Sequence, residues 1–210
     1  MTAMPVTPDR PGLRERKKLR TRAAIRRATF RLVTEQGYEA TTIEQIAAAA
    51  EVSPSTVVRY FPVKEDILLT DEQDALLEAR LLARPAGEEP LESLRAVVVD
   101  AVSAALVHEP AETRLRARLM VEIPAVRARL TETTAESARR LSRAVAERTG
   151  RDPDDLEVRV FTAAVLGALR EATLHWAEHG GRDDLVELLD RTVDTLKDGL
   201  TLRPPRPARP

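Results

Sequence analysis

The chain has 210 residues, of which 43% are hydrophobic and 32% are charged, and its formal net charge is -1. This length allows one large domain or two small ones, with enough apolar residues to form a core. Cysteine is absent, which excludes disulfides, thiolate catalysis and cysteine-ligated zinc. Aromatic residues make up only 3% of the chain, which argues against an all-β fold. The abundance of alanine, leucine, arginine and glutamate predicts a mostly helical protein instead.

Two sequence features bear on where the protein acts. No apolar run approaches the roughly 20 residues that a membrane-spanning helix needs. Residues 1–11 lack the apolar segment of a secretory signal. We therefore expect a protein of the cytoplasm that has no membrane partner.

The near-zero net charge conceals an uneven distribution along the chain. Residues 1–70 contain 12 basic and 8 acidic residues, whereas residues 71–210 contain 21 and 26. Between Arg10 and Arg31 there are ten basic residues and one acidic residue, Glu15. A basic head on an acidic body indicates that the N-terminal end binds nucleic acid or another anionic surface.

The chain begins with a segment that has little to bury. Residues 1–12 contain three prolines, and we predict a disordered arm there. A helix is predicted over residues 13–36, because apolar residues recur at helical spacing. Those residues are Ile25, Ala28, Leu32 and Val33. Gly37 is placed to end this helix in the left-handed conformation.

A short second helix is predicted over residues 43–50. A capping box can form at its start in either of two ways, from Thr42 with Gln45 or from Thr41 with Glu44. Each pair combines a capping hydroxyl with a side chain that can accept from the cap residue's own amide.

The third helix has clear signals at both ends. Ser53 supplies a capping hydroxyl, and Pro54 suits the first helical position. The helix can reach only about Phe61, because Pro62 cannot continue it. A fourth helix is predicted over residues 63–83.

The remainder of the chain is predicted to be helical as well. Residues 84–90 have the composition of a linker. Five further helices are predicted, over residues 91–108, 111–122, 124–149, 153–179 and 182–200. Residues 203–210 are predicted to form a disordered, proline-rich tail. The expected architecture is therefore all-α with about nine helices: a head at residues 13–62 and a larger ligand-binding and dimerisation domain at residues 63–202.

A short helix, a tight turn and a second short helix form a helix-turn-helix layout. Such a second helix can enter the major groove of B-DNA with its first residues at the base edges. Val57 and Phe61 are four residues apart and can face inward, which leaves a polar set for DNA. That set is Ser55, Thr56, Arg59 and Tyr60, followed by Lys64 as a phosphate ligand at the next helix. The basic start of the first helix can reach flanking phosphates or the minor groove.

The segments Gly37–Ser53 and Thr56–Leu68 resemble the DNA-binding domain of the TetR family of bacterial regulators. This resemblance covers about residues 20–68 and implies an α-helical homodimer. Its heads would bind a palindromic operator, and its C-terminal domain would hold a small-molecule pocket and the dimer interface. The resemblance assigns DNA contacts to Thr42, Ser55, Thr56, Tyr60 and Lys64, with Arg59 as a base reader.

The sequence departs from the family pattern at two places. Glu51 occupies the turn where the family usually has glycine, so the turn must form without that residue. Val58 stands where the family often has tyrosine, and it can contact a thymine methyl group but cannot donate to a phosphate.

A weaker resemblance concerns the domain that follows. The segments Arg59–Glu72 and Val121–Leu130 resemble a subset of the family that is similar to the regulator of the mycofactocin system. This subset is described as binding an acyl-CoA-like ligand. The resemblance implies a large hydrophobic effector.

The sequence offers six candidates for the ligand pocket, although each also has a simpler structural role. Trp176 and Phe161 either line the cavity or pack in the core or dimer seam. A buried arginine either binds a ligand carboxylate or phosphate or forms an internal salt bridge. The candidates are Arg118, Met120, Phe161, Leu169, Arg170 and Trp176. His175 and His179 have a metal-ligand spacing, but lack a clear third ligand, and we expect neither a metal site nor a cofactor.

The last two predicted helices are candidates for dimerisation. The first carries small residues that allow close helix approach, and the second carries an apolar stripe at helical spacing. Together they would form a four-helix interface, unless the stripe packs inside its own subunit. The predicted interface residues are Ala164, Gly167, Ala168, Leu185, Leu189, Val193 and Leu196.

These observations predict a ligand-responsive transcriptional regulator, most consistent with a repressor released from its operator by a small hydrophobic effector. The alternative is a small-molecule-binding adaptor whose head no longer reads DNA, which the departures at Glu51 and Val58 motivate. An enzyme is not expected, because no phosphate-binding loop, nucleophile elbow or zinc-protease motif is present.

Overall fold

The computed structural model describes residues 12–70 and 73–201, and these residues contain ten helices and no strand. The chain divides into two compact units, residues 1–68 and residues 69–210. The helices are α1 (Leu13–Gln36), α2 (Ile43–Ala49), α3 (Pro54–Tyr60), α4 (Lys64–Leu69), α5 (Gln73–Leu82), α6 (Pro90–His108), α7 (Pro110–Glu122), α8 (Pro124–Thr149), α9 (Leu156–Glu178) and α10 (Leu185–Lys197). The all-α prediction is confirmed, whereas the predicted arm, apart from Gly12, and the predicted tail lie outside the described residues.

The first unit, which we call the head, closes α1 to α4 around a small core. Each of these helices contributes at least one side chain that is no more than 1% exposed. The main members are Ile25, Ile46, Val57, Phe61 and Ile67. Burial of such a side chain contributes about 1.5–3 kcal/mol. The core therefore stabilises α2, α3 and α4, which are too short to form alone.

The turn between α1 and α2 follows the predicted signals closely, with one difference. The capping box uses Thr42 and Gln45, as the first of the two alternatives predicts. Thr41 instead is buried, and its hydroxyl donates to the Gly37 carbonyl at 2.8 Å. Gly37 has φ 87° and ψ 163°, so it is not left-handed helical as predicted. It occupies a different positive-φ region that is essentially limited to glycine.

The helix predicted over residues 63–83 is the clearest error at the level of secondary structure. It is two helices, because α4 ends at Leu69 and α5 begins at Gln73. Thr70 is not helical. Threonine side chains compete with helical hydrogen bonds and lower helix propensity. The chain therefore has ten described helices rather than about nine.

The second unit, which we call the body, contains α5 to α10. Proline at the first helical position begins α6, α7 and α8, so α8 starts where it is predicted and α6 and α7 each start one residue earlier. Helix α9 packs against α7, α8 and α10, while α6 packs against α5 and α10. The buried residues Val165, Leu169 and Trp176 of α9 lie in the core with Leu189 and Val193 of α10. The body thus has its own hydrophobic core.

Candidate nucleic-acid interface and ligand cavity

Helix α3 begins at a compact cluster of hydroxyl groups. The Ser53 hydroxyl accepts from the Thr56 amide at 3.2 Å, and Pro54 occupies the first helical position. The Ser53 hydroxyl also lies 2.9 Å from each of the hydroxyls of Ser55 and Thr56. The cap satisfies an amide that would otherwise lack a partner. It therefore fixes the first turn of α3, which is the part of such a helix that contacts bases.

The remaining positions of α3 divide into an inner and an outer face. Val57 is fully buried, whereas Ser55, Val58 and Arg59 are exposed. Tyr60 is partly buried against the head core, and the Arg59 guanidinium lies 5.5 Å from the centre of its ring. The outer face therefore presents a hydroxyl, a methyl-bearing side chain and a guanidinium, which are the groups that read major-groove edges.

Thr42 is exposed at the N-terminus of α2. Its hydroxyl accepts from the Gln45 amide at 3.3 Å, and the Gln45 side-chain oxygen accepts from the Thr42 amide at 3.0 Å. A hydroxyl that accepts one hydrogen bond can still donate its own proton. The geometry thus leaves Thr42 able to donate to a phosphate while it caps α2.

Lys64 has a structural role that the sequence analysis does not anticipate. Its ammonium donates to the carbonyls of Tyr38 at 2.9 Å and Thr41 at 3.0 Å. It also lies 3.8 Å from the centre of the Tyr38 ring. Two of the three ammonium protons are therefore used inside the head, and one is left for an external acceptor. Lys64 joins α4 to the α1–α2 turn, and its predicted phosphate contact depends on the remaining proton.

Tyr38 extends this junction through its hydroxyl group. The Tyr38 hydroxyl donates a short hydrogen bond to the Glu65 carboxylate. Burial raises the pKa of the Tyr38 phenol, and the bond to the negatively charged Glu65 raises it further. Tyr38 therefore stays neutral as a donor, and it links the turn to α4 at a second point.

Arg22 is a head residue that the sequence analysis missed. Its guanidinium lies 4.4 Å from the centre of the Phe61 ring, and it donates to the Tyr60 carbonyl at 3.3 Å. The bond satisfies a carbonyl in the last turn of α3, where intrahelical donors run out. The only sequence signal is its position three residues before Ile25, on the same side of α1.

The body contains an apolar cavity between α5, α6, α8 and α9, with a volume of about 80 Å³. Its wall is mostly aliphatic, with Glu78, Ser137 and Arg140 as the polar members. The aliphatic members are Leu77, Leu94, Val97, Val98, Leu141, Val165, Leu166 and Leu169. Arg140 is exposed, so it stands at the rim of the cavity. The site is an apolar chamber whose few polar groups include the Glu78 carboxyl group and the Arg140 cation at the rim.

Of the six predicted pocket residues, Leu169 alone lines this cavity. Arg118 lies elsewhere, because its side chain is 61% exposed and pairs with Glu122 at 3.6 Å. Phe161 is partly buried against the body core, and Met120 and Arg170 are also partly buried. The Nε atom of Arg170 is buried and has no hydrogen-bond partner among the described residues.

Trp176 is a core residue and not a wall of the cavity. It is 2% exposed, and its indole nitrogen donates to the Asp183 carbonyl at 2.9 Å. Gly181 has φ +64°, and a Cβ atom there would approach the indole ring to 3.1 Å. The tryptophan thereby fixes the turn between α9 and α10, and a side chain at position 181 would crowd the indole ring and strain the backbone.

One arginine of α8 fixes the connection between α5 and α6. The Arg148 guanidinium donates to the carbonyls of Leu81 at 2.9 Å, Arg84 at 2.9 Å and Pro85 at 3.0 Å. It also donates to the Ser93 hydroxyl at 2.9 Å and to the Glu88 carbonyl at 3.5 Å. We call this set of contacts the Arg148 clamp. It ties the C-terminal end of α5 to α6 and α8.

Glu88 completes the clamp from the connecting loop. Its carboxylate accepts from the Arg84 guanidinium, with one contact at 2.7 Å, and from the Ser93 hydroxyl at 2.6 Å. The bond from Arg84 holds the pKa of the Glu88 carboxyl at about 2, and the bond from Ser93 acts in the same direction.

The predicted dimer residues separate into two groups in the structure. Leu185, Leu189 and Val193 are 1–3% exposed inside the body core, so the alternative of packing within the subunit applies to them. Leu196 is partly buried against the same core. By contrast, the small residues of α9 remain accessible. Ala164 and Gly167 are exposed, and Ala168 is partly exposed.

A groove of about 530 Å³ runs along the outer faces of α9 and α10. Ala168, Glu171 and His175 line its α9 side, while Leu188 and Arg191 are among the residues on its α10 side. Of the residues predicted for the seam, those on this outer face are accessible, whereas the stripe of α10 that begins at Leu185 is buried.

Two remaining expectations concern metals and membranes. His175 and His179 have ring centres 4.1 Å apart, and the Nδ1 atom of His179 is 2.7 Å from the His175 carbonyl. Within residues 12–70 and 73–201, no three potential metal ligands are grouped. None of the helices in this part of the chain is both long and apolar enough to cross a membrane.

A small helical head that exposes a capped two-turn helix, followed by a helical body with an internal apolar cavity, defines a helix-turn-helix regulator. Residues 25–70 match the family described as "Bacterial regulatory proteins, tetR family". Residues 88–201 match the domain described as "MftR C-terminal domain". The chain belongs to the TetR family and is a transcriptional regulator with a DNA-binding head. Members of this family are not enzymes.

Individual relatives agree with this placement. The chain is 36% identical over 208 residues to the HTH-type transcriptional regulator TcmR of Streptomyces glaucescens, covering 92% of this chain and 88% of TcmR. It is 28% identical to FadR of Thermus thermophilus, a TetR-family repressor solved with lauroyl-CoA, covering 90% and 100% of the two chains with a TM-score of 0.54. Bacillus subtilis FadR, solved with stearoyl-CoA, shares the fold at 22% identity, with a TM-score of 0.57 and coverage of 84% and 98%.

Proposed function

We propose that the protein is a cytoplasmic repressor that binds a palindromic operator as a homodimer and leaves it when a hydrophobic, acyl-CoA-like effector enters the body. The observation that carries the DNA-binding half is the outer face of α3. It exposes Ser55, Val58 and Arg59 on a helix whose start is fixed by the Ser53 cap. Thr42, Thr56, Tyr60 and Lys64 are proposed to complete the contacts.

Dimerisation is proposed to occur through the outer faces of α9 and α10. Ala164, Gly167 and Ala168 permit close approach of a partner helix, and Leu196 lines the adjoining groove. Two helices from each subunit would form a four-helix interface. This arrangement would present two heads to successive major grooves, about 34 Å apart on one face of the DNA.

The effector is proposed to occupy the cavity bounded by Leu141, Val165 and Leu169. An aliphatic wall suits an acyl chain, and Arg140 at the rim suits an anionic head group. The fold relationship to a repressor solved with lauroyl-CoA supports this ligand class. Phe161, Met120 and Arg170 remain proposals for a wider ligand-bound cavity, whereas the ion-paired Arg118 and the core residue Trp176 lie away from the described site.

The size of the cavity suggests how binding is coupled to release. A volume of about 80 Å³ is well below the roughly 300 Å³ or more of an ordinary ligand site. The effector must therefore favour a state in which the surrounding helices are further apart. Helix α5 carries Leu77 and Glu78 in the wall and follows α4 directly in the chain. If the two heads of the dimer are spaced differently in the wider state, an effector that stabilises this state weakens DNA binding by the same free energy.

The test begins with fluorescence anisotropy on the DNA upstream of the protein's own gene. We expect salt-sensitive, sequence-specific binding, and a loss of about 1–3 kcal/mol for Arg59→Ala if Arg59 reads a base. If the wild type binds no duplex from its genome specifically, the result would favour the adaptor alternative.

The effector is tested separately with lauroyl-CoA and stearoyl-CoA. Either probe is expected to raise the melting temperature and to weaken operator binding. Leu166→Trp fills the cavity and should abolish both effects, while Val107→Trp, on a site that is 73% exposed, should abolish neither. A wild type that neither probe stabilises would contradict the proposed ligand class.

A further inference from the structure

The groove along α9 and α10 combines apolar side chains with an excess of negative charge. Its apolar lining includes Ala168, Ala172, Leu188, Leu196 and Leu200. Its carboxylates outnumber its guanidinium groups by four to one, which gives the groove a formal charge of -3 with His175 neutral. The charged members are Glu171, Asp183, Asp184, Glu187 and Arg191.

Three of these carboxylates are not neutralised within the described part of the chain. Glu171, Asp183 and Glu187 are exposed, and none of them forms an ion pair with another described residue, because the ion pairs of α10 use other acids and join it to α6. A two-fold interface places the same surface of each subunit against its copy. The proposed dimer seam would therefore bring two acidic grooves together, and like charges that face each other across an interface oppose association.

The chain leaves α10 at one end of this groove. The Gly199 amide donates to the Leu196 carbonyl at 3.1 Å, and the Leu200 amide donates to the Thr195 carbonyl at 3.0 Å. These two bonds form a Schellman motif, which ends the helix with a residue of positive φ. Gly199 has φ 71°, and Leu200 lies in the wall of the groove. The next residues of the chain therefore start beside the groove.

Those next residues complement the groove in charge. Residues 202–210, which we call the C-terminal segment, lie outside the described residues, and their sequence is LRPPRPARP. The segment contains no acid, and its three arginines, Arg203, Arg206 and Arg209, are three residues apart. A proline-rich sequence favours the polyproline II helix, which has three residues per turn and a rise of about 3.1 Å per residue. In that conformation the arginines share one edge at intervals of about 9 Å. Their charge of +3 equals the deficit of the groove.

The C-terminal segment also has the length of the groove. The groove follows α10 from Leu200 back to Asp184, a distance of about 24 Å at 1.5 Å per residue. The nine residues of the segment span about 28 Å as a polyproline II helix. Their arginines can therefore reach the carboxylates at the start of α10.

We propose that the C-terminal segment docks in the α9–α10 groove of its own subunit and neutralises it, so that the dimer seam joins two neutral surfaces instead of two acidic ones. The neutralising role rests on the proposed dimerisation. Ala164 and Gly167 do not belong to the lining of the groove. The docked segment therefore leaves these small residues of α9 free for the partner helix.

Docking is tested by a disulfide in the full chain. The sequence has no cysteine, so the variant Thr192→Cys/Pro204→Cys contains only two thiols. In a segment that runs back along α10, position 204 is about 12 Å from Leu200, level with Thr192. We expect mild oxidation to form a disulfide within one chain, detected by mass under denaturing conditions. The control Ala104→Cys/Pro204→Cys, with one thiol at an exposed residue of α6, should form none.

Two outcomes of this experiment would contradict the proposal. A disulfide between two chains would overturn docking in the same subunit and would assign the groove to the segment of the partner. No disulfide in the Thr192→Cys/Pro204→Cys variant, although both thiols react with a maleimide, would overturn docking altogether.

Neutralisation is tested by sedimentation equilibrium on the full chain with Arg203→Gln/Arg206→Gln/Arg209→Gln. The matched control, Arg114→Gln/Arg139→Gln/Arg143→Gln, removes three exposed cations elsewhere in the body. At 50 mM KCl we expect the dimer dissociation constant to rise by about tenfold or more in the segment variant and by less than about twofold in the control. At 500 mM KCl, where the Debye length is about 4 Å, the difference should disappear. An unchanged dissociation constant at 50 mM KCl would overturn the neutralising role.

A double-mutant cycle connects the segment to the groove. Glu171→Gln/Glu187→Gln removes two negative charges from the groove, so the loss of the three arginines in this background should raise the dissociation constant by no more than about twofold. The same increase in both backgrounds would show that the arginines act elsewhere. A wild type that stays monomeric would instead overturn the proposed dimerisation, whereas the disulfide within one chain tests docking without a dimer.

Discussion

The head and the body of this regulator use their helices in opposite ways. The head buries one side of α3 and presents the other, so that Val57 lies in the core while Ser55 and Arg59 face outward. The candidate ligand site of the body is internal, and Val165 and Leu169 belong to the core and line the cavity as well. On an outer face, the helical spacing of residues distinguishes functional side chains from core side chains. In an internal site it does not, because both kinds of side chain lie on the buried face.

The two regions also differ in how their parts are held together. In the head, the contacts join residues that are closer in sequence, such as Lys64 and the α1–α2 turn, which are 23–26 residues apart. The body relies on contacts between helices far apart in sequence, such as the Arg148 clamp, whose partners lie 55–67 residues away. Local signals therefore report the head far better than the body.

The largest expected effect is the unfolding of the head while the body remains folded. Phe61 is 1% exposed, and Phe61→Ala should destabilise the head by about 3–5 kcal/mol. Hydrogen exchange should show lost protection in α2 and α3 and retained protection in α9, together with lost DNA binding. Val58→Ala, at a site that is 47% exposed, should change stability by no more than about 0.5 kcal/mol. Equal loss of protection in α9 would show that the two units do not unfold separately.

The matching disruption of the body is Arg148→Met. It removes charged donors from four carbonyls and one hydroxyl, and we expect a loss of about 2–3 kcal/mol. Urea unfolding measures the loss, with the exposed Arg143→Met as control. Exchange in the head should be unaffected. A loss below about 0.5 kcal/mol would mean that water replaces the guanidinium at the α5–α6 connection.

A smaller effect, of opposite sign, is expected in the turn of the head. Glu51 has φ 55°, a conformation that costs a non-glycine residue about 1–2 kcal/mol. Glu51→Gly removes this cost but adds about 0.4–1 kcal/mol of unfolded-state entropy. The net gain in head stability should be about 0.5–1 kcal/mol. Glu51→Ala is the control for removal of the negative charge. Alanine keeps the strain of the positive φ, so this variant should produce no comparable gain in stability.

The smallest effect is the pH dependence of the clamp. The pKa of the Glu88 carboxyl is lowered from 4.5 to about 2, chiefly by the bond from Arg84. A lowered folded-state pKa means that the contribution of Glu88 is present above pH 4.5 and is lost as the pH falls toward 2. Urea unfolding of Glu88→Gln across this range should show a shallower decline in stability than the wild type. Parallel curves would show that Glu88 titrates alike in the folded and unfolded states.

The sequence predicted the head to the level of single hydrogen bonds in places. The Thr42–Gln45 box and the Ser53 cap follow from residue types at fixed short spacing, because a helix start is decided within four residues. The same reasoning missed Arg22 and the bonds of Lys64 to carbonyls. The sequence does not distinguish a cation that points into solvent from one that donates to a main-chain carbonyl. The packing of α1, α3 and α4 decides between these two cases.

In the body, the sequence predicted the starts of α6, α7 and α8 to within one residue, because a proline marks each of them. It did not determine which apolar residues line the cavity. Leu189 of the predicted dimer stripe and the candidate pocket residue Trp176 both lie in the core. The spacing of apolar residues predicts which side of a helix is buried, but it does not identify the surface against which that side packs. Whether that side meets its own subunit, a second copy or a ligand is decided by the arrangement of helices in three dimensions.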